Sequence, residues 1–226
     1  MSEDLANFID HTLLKPEATS ADISKLCAEA MEYKFFAVCI NPIFVRQAVK
    51  ELSSSNVTVA SVVGFPLGAN LSDIKIAEAQ RALSEGAEEL DVVVNIAALK
   101  EGNHDYVLAE IQSIVKVAKE RIVKVIIECD LLSQEEKIAA TKLCMQAGAG
   151  MVKTSTGFLK SGLGATVEDL QLLRETIGSG SLKIKASGGI KDAEKARALI
   201  NAGAARLGCS ASVEIVKSQN LASVNS

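Results

Sequence analysis

Four segments of the chain carry charged residues in a pattern that fully buried strands do not normally show. The segments are ELDVVVN (89–95), VKVIIE (123–128), MVKTS (151–155) and LKIKAS (182–187). Because side chains alternate faces along a strand, each segment predicts a strand with one apolar and one polar face. The polar faces carry Asp91, Lys124, Lys153 and Lys185. A buried charge is rarely tolerated unless it is paired, so we expect these side chains to converge. Taken alone, however, Lys124 or Lys183 is expected to be a surface group near a strand end.

Lys153 and Lys185 are the candidates for covalent chemistry, because both share the polar phase of Asp91 and precede turns that contain glycine. A free lysine has a pKa near 10.4, so only about one in a few thousand is neutral at pH 7. A neighbouring ammonium and partial desolvation disfavour the charged form. A lysine activated in this way is a recurring route to a Schiff base with a carbonyl substrate. Asp91 would then move protons at the carbinolamine and enamine stages.

Glycine-bearing turns follow the last three predicted strands, at Gly157, Gly188-Gly189 and Gly208-Cys209-Ser210. Backbone N–H groups in such turns can form a cradle for an anion. A single Gly-Gly pair is explained by a tight turn alone. Three such turns beside an amine nucleophile favour a phosphate site, which barrels commonly form after strands seven and eight.

The elements that must position these residues alternate along the whole chain. Short apolar runs, bounded by Gly, Pro or polar residues, predict strands. The predicted strands are Phe8–Leu13, Phe35–Ile40, Val57–Phe65, Glu89–Asn95, Val123–Glu128, Met151–Ser155, Leu182–Ser187 and Arg206–Ser210. The predicted helices are Thr19–Tyr33, one after Asn41-Pro42, Ser72–Glu85, Asp105–Lys119, Ser133–Ala147, Thr166–Ile177, Asp192–Asn201 and a short one after Ser210. Ser133-x-x-Glu136 and Thr166-x-x-Asp169 are typical of residues that cap the start of a helix.

This alternation predicts an α/β protein with parallel strands and crossover helices. Eight units in 226 residues match a single-domain (β/α)₈ TIM barrel, for which roughly 200 residues is the lower bound. The alternative, an open doubly wound sheet, is favoured by a G-x-G-x-x-G motif after an early strand, and the sequence has none. We expect the barrel over residues 1–216 and a polar, frayed or disordered tail over 217–226.

Composition excludes several classes of function. A formal net charge of −4 and an aromatic content of 4% argue against nucleic-acid binding. No segment approaches the roughly 18 apolar residues of a membrane span. The five cysteines are scattered singly, which favours reduced thiols and a cytoplasmic protein over a disulfide framework. The start of the sequence is acidic and is not typical of a secretory signal.

The histidines argue against metal-dependent chemistry. A zinc-dependent aldolase needs several converging His or carboxylate ligands, and the chain has only His11 and His104. His104 is expected on the surface, within a polar loop, and His11 is expected to be a structural or rim residue. We therefore predict neither a metal nor a cofactor.

Taken together, the motifs resemble the 2-deoxy-D-ribose-5-phosphate aldolases, a family of class I aldolases with a (β/α)₈ barrel. The resemblance runs from about residue 9 to residue 216. Its motifs are IDHTLLKP (9–16), VCINP (38–42), VVGFPLGAN (62–70), ELDVVVN (89–95), VKVIIE (123–128), VKTSTGF (152–158), GATVEDL (164–170), KASGGI (185–190) and RLGCS (206–210). VKTSTG and KASGG in this order on one chain are highly specific.

The resemblance implies a role for each matching residue. Lys153 matches the Schiff-base lysine, Lys185 the second lysine that lowers its pKa, and Asp91 the carboxylate that transfers protons with a bound water. The residues implied to bind substrate are Asp10, Cys39, Lys124, Thr156, Gly157, Gly188, Gly189 and Ser210. The implied reaction is the reversible cleavage of 2-deoxy-D-ribose 5-phosphate to acetaldehyde and D-glyceraldehyde 3-phosphate. The implied assembly is a homodimer.

Two departures from the family pattern and two alternative functions accompany this expectation. Ala211 stands where many members have a second serine, and no tyrosine follows Tyr106, whereas some members end in one. One alternative is another Schiff-base enzyme that acts on a different phosphorylated carbonyl compound. The other is a catalytically silent barrel that only binds sugar phosphates, against which the intact lysine pair argues.

Overall fold

Eight parallel strands close into a barrel in the order of the sequence, and the last strand pairs with the first. The computed structural model describes the backbone of residues 4–224 and the side chains of residues 4–219. The strands are β1 (Ile9–Leu13), β2 (Ala37–Ile40), β3 (Thr58–Val63), β4 (Glu89–Val93), β5 (Ile122–Ile126), β6 (Met151–Lys153), β7 (Lys183–Ser187) and β8 (Ala204–Cys209). Each of the eight overlaps a predicted strand, although the boundaries differ by up to two residues, so the predicted TIM barrel is confirmed.

Helices surround this barrel. They are α1 (Ser20–Glu32), α2 (Val45–Glu51), α3 (Ser72–Ser84), α4 (Ile96–Lys100), α5 (His104–Ala118), α6 (Gln134–Gln146), α7 (Val167–Ile177), α8 (Ala193–Asn201) and α9 (Ser212–Val224). The short α4 was not predicted, and α9 is longer than predicted. The expected polar tail, 217–226, is helical as far as residue 224. Residues 225 and 226 lie outside the described part of the chain. None of the described helices is long and apolar enough to cross a membrane.

Side-chain caps fix where the helices begin, and these in turn fix the loops at the mouth of the barrel. At the start of α6, Ser133 and Glu136 form a reciprocal capping box, as their spacing predicts. At the start of α7, the Thr166 side chain accepts the Asp169 amide N–H at 3.1 Å. Both predicted caps are confirmed.

The apolar core has two parts. The larger part packs the outer face of the strands against the helices. The smaller part lies inside the barrel near β2 and β3 and consists of Leu14, Cys39, Ala60 and Val62, with Phe65 packed against it. The interior is therefore filled by apolar side chains on one side, and the remaining strands supply charged ones.

Candidate active site

The charged side chains inside the barrel form one ion network. Its cations are Lys124, Lys153, Lys185 and Arg206, and its carboxylates are Asp10, Glu89 and Asp91. Strand register places them, because Asp91 on β4 pairs with Lys124 on β5 and Lys153 on β6 pairs with Lys185 on β7. Adjacent parallel strands lie about 4.8 Å apart, so inward-facing side chains at paired positions on neighbouring strands can bond to each other.

Asp91 lies at the centre of the network and is completely buried. Its Oδ2 accepts hydrogen bonds from Lys153 Nζ at 2.7 Å and from Lys185 Nζ at 2.8 Å. Its Oδ1 accepts one from Lys124 Nζ at 2.8 Å. The Cys39 thiol lies 3.7 Å from Oδ2. Two lysine amines thus share a single carboxylate oxygen.

Asp10 and Glu89 complete the network deeper in the barrel. Asp10 Oδ2 accepts from Lys185 and, at 3.2 Å, from Lys124, and its Oδ1 accepts from Arg206 at 2.7 Å. Glu89 contacts Lys124 Nζ at 2.6 Å and Arg206 Nη2 at 3.3 Å. These bonds give each buried charge at least one partner of opposite sign, as desolvated charges require.

The network holds most of its groups firmly in their charged forms. Burial alone would raise the pKa of Asp91, but the ammonium groups of Lys124, Lys153 and Lys185 outweigh it and hold the pKa well below its usual range. Lys124 and Lys185 show the reverse balance: burial opposes their charge, but Asp10 and Asp91 raise the pKa of both. The same carboxylate of Asp10, together with Glu89, raises the pKa of Arg206 against the effect of burial.

Charge counting then singles out one amine. Four cations against three carboxylates leave the network one positive charge in excess when every group is ionised. Lys124, Lys185 and Arg206 are held in their charged forms. Lys153 is the fourth cation, and within the described residues its ammonium pairs with Asp91 alone.

A cavity of about 390 Å³ opens directly above Lys153, at the C-terminal ends of the strands. Of the four cations, only Lys153 is among the residues that line it. Turns that contain Gly157, Gly188, Gly189 and Ser210 also line it. Within residues 4–219, the amide N–H groups of these four residues have no hydrogen-bond acceptor. They are available to bind an anion, and α9 begins directly behind Ser210.

Two carboxylates outside the network hold these turns in place. The Thr156 hydroxyl donates to Glu128, and so does the Thr156 amide at 3.1 Å. Asp130 accepts the amide N–H groups of Leu163 and Gly164, each at 3.0 Å. Burial raises the pKa of Glu128, although the bonds from Thr156 oppose this.

Close packing between two turns explains why the motif GATVEDL (164–170) begins with a glycine. Gly164 has a φ of +69°, and a Cβ added there would lie 2.4 Å from the carbonyl of Gly188. The Ala165 amide donates to that same carbonyl at 3.1 Å. Only a residue without a side chain allows the two turns to approach this closely.

Comparison with known proteins identifies the family. The family model described as DeoC/LacD family aldolase matches residues 5–216. The deoxyribose-phosphate aldolase of Natranaerobius thermophilus is 55% identical over 215 residues, which are 95% of this chain and 96% of that protein. That of Thermococcus gammatolerans is 53% identical, with 95% and 96% covered. The chain belongs to the DeoC/LacD aldolase family.

A solved structure supports the same assignment. The tetrameric deoxyribose phosphate aldolase from Aeropyrum pernix superposes with a TM-score of 0.89 at 34% identity, covering 96% of this chain and 91% of that one. The resemblance read from the motifs is therefore confirmed. Membership in the DeoC/LacD family makes the protein an aldolase, a carbon–carbon lyase.

The structure divides the residues that were expected to bind substrate into two groups. Gly157, Gly188, Gly189, Ser210 and Thr156 line the cavity, although Thr156 directs its hydroxyl and amide to Glu128. The other three lie beneath the cavity floor, fully buried, and are not among its lining residues: Asp10, Cys39 and Lys124. In this aldolase they contact the catalytic candidates rather than the open cavity.

One expectation about isolated lysines is wrong and one is confirmed. Lys124 is fully buried, because three carboxylates surround its ammonium, so it is not a surface group. Lys183 is exposed at the start of β7, as expected.

The two histidines lie outside the network. His104 is exposed at the start of α5, as expected. His11 lies on the outer side of β1, 2.9 Å from Ser212 Oγ and 3.0 Å from a carboxylate oxygen of Glu29. Burial lowers the pKa of His11, although Glu29 opposes this. These bonds give His11 a structural role in linking β1 to α1 and α9. In the part of the chain that the structure describes, no group of His, Cys, Asp or Glu is arranged to hold a metal ion.

Two members of the network, Glu89 and Arg206, were not identified from sequence. Glu89 has the same strand phase as Asp91, two positions earlier, and this signal could have found it. Arg206 could not be recognised from an alternating pattern of polar residues. The next residue on the inner face of β8 is Gly208, which has no polar side chain. The burial of Arg206 is visible only once β8 closes the barrel beside β7, where Arg206 pairs with Lys185.

Proposed function

We propose that the cavity above Lys153 is the active site of a class I deoxyribose-phosphate aldolase. The reaction is the reversible cleavage of 2-deoxy-D-ribose 5-phosphate to acetaldehyde and D-glyceraldehyde 3-phosphate. One observation carries this proposal: Lys153, which lines the cavity, shares a single oxygen of Asp91 with the ammonium of Lys185. This is the arrangement that an amine nucleophile needs.

The first step is attack of the Lys153 amine on the aldehyde carbon of the open-chain sugar. The ammonium of Lys185 opposes a second positive charge nearby, which favours the neutral, nucleophilic form of Lys153. A carbinolamine forms, water leaves, and the product is a protonated imine between Lys153 Nζ and C1 of the sugar. Because Asp91 Oδ2 lies 2.7 Å from Nζ, it is placed to accept and return the protons of these steps.

The second step breaks the bond between C2 and C3. The imine withdraws the bonding electron pair into an enamine on Lys153, the C3 hydroxyl loses its proton, and D-glyceraldehyde 3-phosphate leaves. Protonation of the enamine carbon and hydrolysis of the imine then release acetaldehyde and restore the amine. Lys153 helps to hold the pKa of Asp91 low, so when the Lys153 nitrogen is neutral, Asp91 becomes a better base. The carboxylate can therefore take up protons at the stages that release them.

The glycine turns would hold the phosphate. Gly157, Gly188, Gly189 and Ser210 line the same cavity as Lys153 and present N–H groups that lack an acceptor within residues 4–219. N–H groups in such turns bind phosphate oxygens. A substrate with its phosphate at these turns would extend its aldehyde end towards Lys153.

Asp10, Cys39 and Lys124 act from below the substrate in this proposal. Lys124 Nζ donates to Asp91 at 2.8 Å and to Asp10 at 3.2 Å. Asp10 in turn accepts from Lys185. These bonds fix the charge and the position of Asp91 and Lys185. Cys39 fills the space beside Asp91. They are thus positioning residues in the free enzyme.

Borohydride trapping tests the proposed nucleophile. The protein is incubated with acetaldehyde, reduced with borohydride, and mapped by peptide mass spectrometry. We expect one reduced ethyl adduct, on Lys153, and none at that peptide in a Lys153→Ala variant. Adducts spread over surface lysines, or none, would refute the Schiff-base assignment.

A substrate comparison tests the specificity. Cleavage of 2-deoxy-D-ribose 5-phosphate should exceed cleavage of ketose phosphates by orders of magnitude. The reverse order would assign the lysine to a different phosphorylated carbonyl donor. A shift in melting temperature with sugar phosphates but no turnover would indicate a barrel that only binds them.

We also propose that the protein is a cytoplasmic homodimer. All five cysteines are buried and unpaired, which suits a reducing compartment. Ile43, Leu67 and Leu71, on the loops after β2 and β3, are at least 69% exposed, and a second copy could cover them. Light scattering should give the dimer mass, and Ile43→Asp should shift it towards the monomer. A monomeric wild type would overturn the proposal.

A further inference from the structure

We propose that Lys15 supplies the positive charge that neutralises the substrate phosphate, and that it thereby makes the enzyme prefer phosphorylated sugars. The inference rests on the proposed aldolase function. It adds a specificity-determining side chain to a site otherwise built from backbone N–H groups.

The need for such a cation follows from charge. A phosphate monoester carries about −1.5 to −2 at pH 7, and N–H groups offer only partial positive charges. Among the described residues that line the cavity, the two cations are Lys15 and Lys153. Lys153 lies on the floor, bonded to Asp91, and is the proposed nucleophile. The ammonium of Lys195 lies near the Gly189 turn, 3.4 Å from where a Cβ on Gly189 would be, but Lys195 does not line the cavity. Lys15 is therefore the cavity-lining cation outside the charged network.

The topology of the barrel places Lys15 beside the phosphate turns. Strand β1 pairs with β8, and His11 lies opposite Cys209 in the register. Ser210 follows β8 directly, and Lys15 lies two residues beyond the end of β1. Both residues line the same cavity, so Lys15 lies on the rim next to the Ser210 turn.

The backbone around Lys15 is held firmly. Leu14 is 7% exposed and packs into the apolar cluster inside the barrel. Its carbonyl accepts a hydrogen bond from Asn41 Nδ2 at 3.2 Å. Pro16 restricts the conformation of Lys15, whose own carbonyl accepts the Ala18 amide at 3.1 Å. The base of the side chain is thus fixed, which reduces the entropy lost when a ligand binds.

The ammonium itself is not committed to another partner in the described structure. Lys15 is exposed, and within residues 4–219 no carboxylate oxygen lies within 4.0 Å of it. Hydrogen bonds from Thr19 lower the pKa of Asp22, and the charge of Lys15 adds to this effect. The Asp22 carboxylate accepts the amide and hydroxyl of Thr19 in a capping box. Lys15 can therefore turn to a phosphate without breaking an ion pair.

A matched control lies close by. A second cavity of about 460 Å³ adjoins the first, and both Lys15 and Lys25 line it. Lys25 does not line the first cavity, and its ammonium is 3.8 Å from Glu29. Lys25→Gln therefore makes the same change of charge on the same side of the barrel mouth without touching the proposed phosphate site.

The test compares two substrates and three variants. For Lys15→Gln we expect kcat/KM for 2-deoxy-D-ribose 5-phosphate to fall about tenfold, mostly through KM, as expected for loss of one exposed charge-assisted bond. Cleavage of unphosphorylated 2-deoxy-D-ribose should change less than about twofold, because that substrate has no phosphate to pair with the lysine. Lys15→Arg should retain most of the activity, and Lys25→Gln should behave as wild type.

Calorimetric titration with inorganic phosphate gives a readout that does not depend on turnover. We expect its dissociation constant to rise about tenfold in Lys15→Gln and to be unchanged in Lys25→Gln. Equal losses on both substrates, equal effects of Lys15→Gln and Lys25→Gln, or unaltered phosphate binding would each overturn the role of Lys15. A wild-type protein that binds phosphate through Lys15 but cleaves no deoxyribose phosphate would instead refute the proposed aldolase function.

Discussion

The role of Lys185 gives the sharpest test of the reasoning, through a Lys185→Met variant. Its ammonium and that of Lys153 each lie within 2.8 Å of the same Asp91 oxygen, so the two nitrogens are no more than about 5.5 Å apart. At an effective dielectric constant of about 20, two charges at that distance repel by about 3 kcal/mol, which corresponds to about two pH units. Removing the charge of Lys185 should therefore favour the charged form of Lys153 by about that amount.

The assay is the pH dependence of kcat/KM for cleavage of 2-deoxy-D-ribose 5-phosphate. In Lys185→Met the acid limb of the profile should move up by about two pH units, and activity at neutral pH should fall by about 100-fold. Activity should recover as the pH rises, because the amine is still present and only its proton is held more tightly. The rate of borohydride trapping should show the same shift.

A second variant separates charge from contact. Lys185→Met leaves three cations and three carboxylates, so a charged Lys153 balances the network. Adding Asp10→Asn restores one excess positive charge, and we expect part of the lost activity at neutral pH to return. It also removes a carboxylate that has lost one of its three cationic partners and keeps Lys124 and Arg206, which limits the loss of stability. A profile that keeps the wild-type pH dependence, or a double variant with no recovery despite an intact fold, would refute the charge-balance argument.

Three further predictions follow from the packing and the charges. Gly164→Ala places a Cβ 2.4 Å from the Gly188 carbonyl, so it should distort the phosphate turn and raise KM for the phosphorylated substrate, measured by steady-state kinetics. Lys75→Met breaks the fully buried 2.8 Å pair with Glu110 between α3 and α5 and should lower the free energy of unfolding by about 3–5 kcal/mol in urea titrations. The pKa of Asp91 is held well below its usual value of 3.8. The contribution of ionised Asp91 to stability is therefore complete above about pH 5 and is lost as the pH falls below 3.8. The difference in unfolding free energy between wild type and Asp91→Asn should shrink as the pH is lowered from about 5 to below 3.8.

The sequence was sufficient for the fold because its signals are local and repeated. Each strand is short and apolar on one face, and helices such as α6 and α7 begin at residues whose caps can be recognised by spacing alone. Eight repeats of one strand–helix unit are compatible with few chain topologies. Most of these topologies are excluded because the strands are parallel and are joined by crossover helices. The short helix α4 was missed because five residues are too few to show a helical period.

The convergence of charged residues inside the barrel was predicted as far as alternation along single strands could show. Asp91, Lys153 and Lys185 each have apolar neighbours in the sequence. The alternation therefore showed that each lies on the polar face of its strand. Lys124, taken alone, was assigned to the surface, because its burial depends on carboxylates from β1 and β4 that a single strand does not reveal. Which residues line the cavity and which lie beneath it is likewise a property of the closed barrel.

In the proposed mechanism, the arrangement of charges would make one buried lysine reactive while its neighbours are not. A lysine paired with a single carboxylate keeps its proton, because desolvation of the charge is offset by attraction to that partner. In this barrel the carboxylates are already engaged by Lys124, Lys185 and Arg206, whose pKa values are raised. Lys153 is the fourth cation on three carboxylates and the one at the cavity. The proposed mechanism therefore predicts that Glu89 and Arg206 affect the reaction although they lie below the cavity. Removing the negative charge of Glu89 should favour the neutral amine, and removing the positive charge of Arg206 should oppose it.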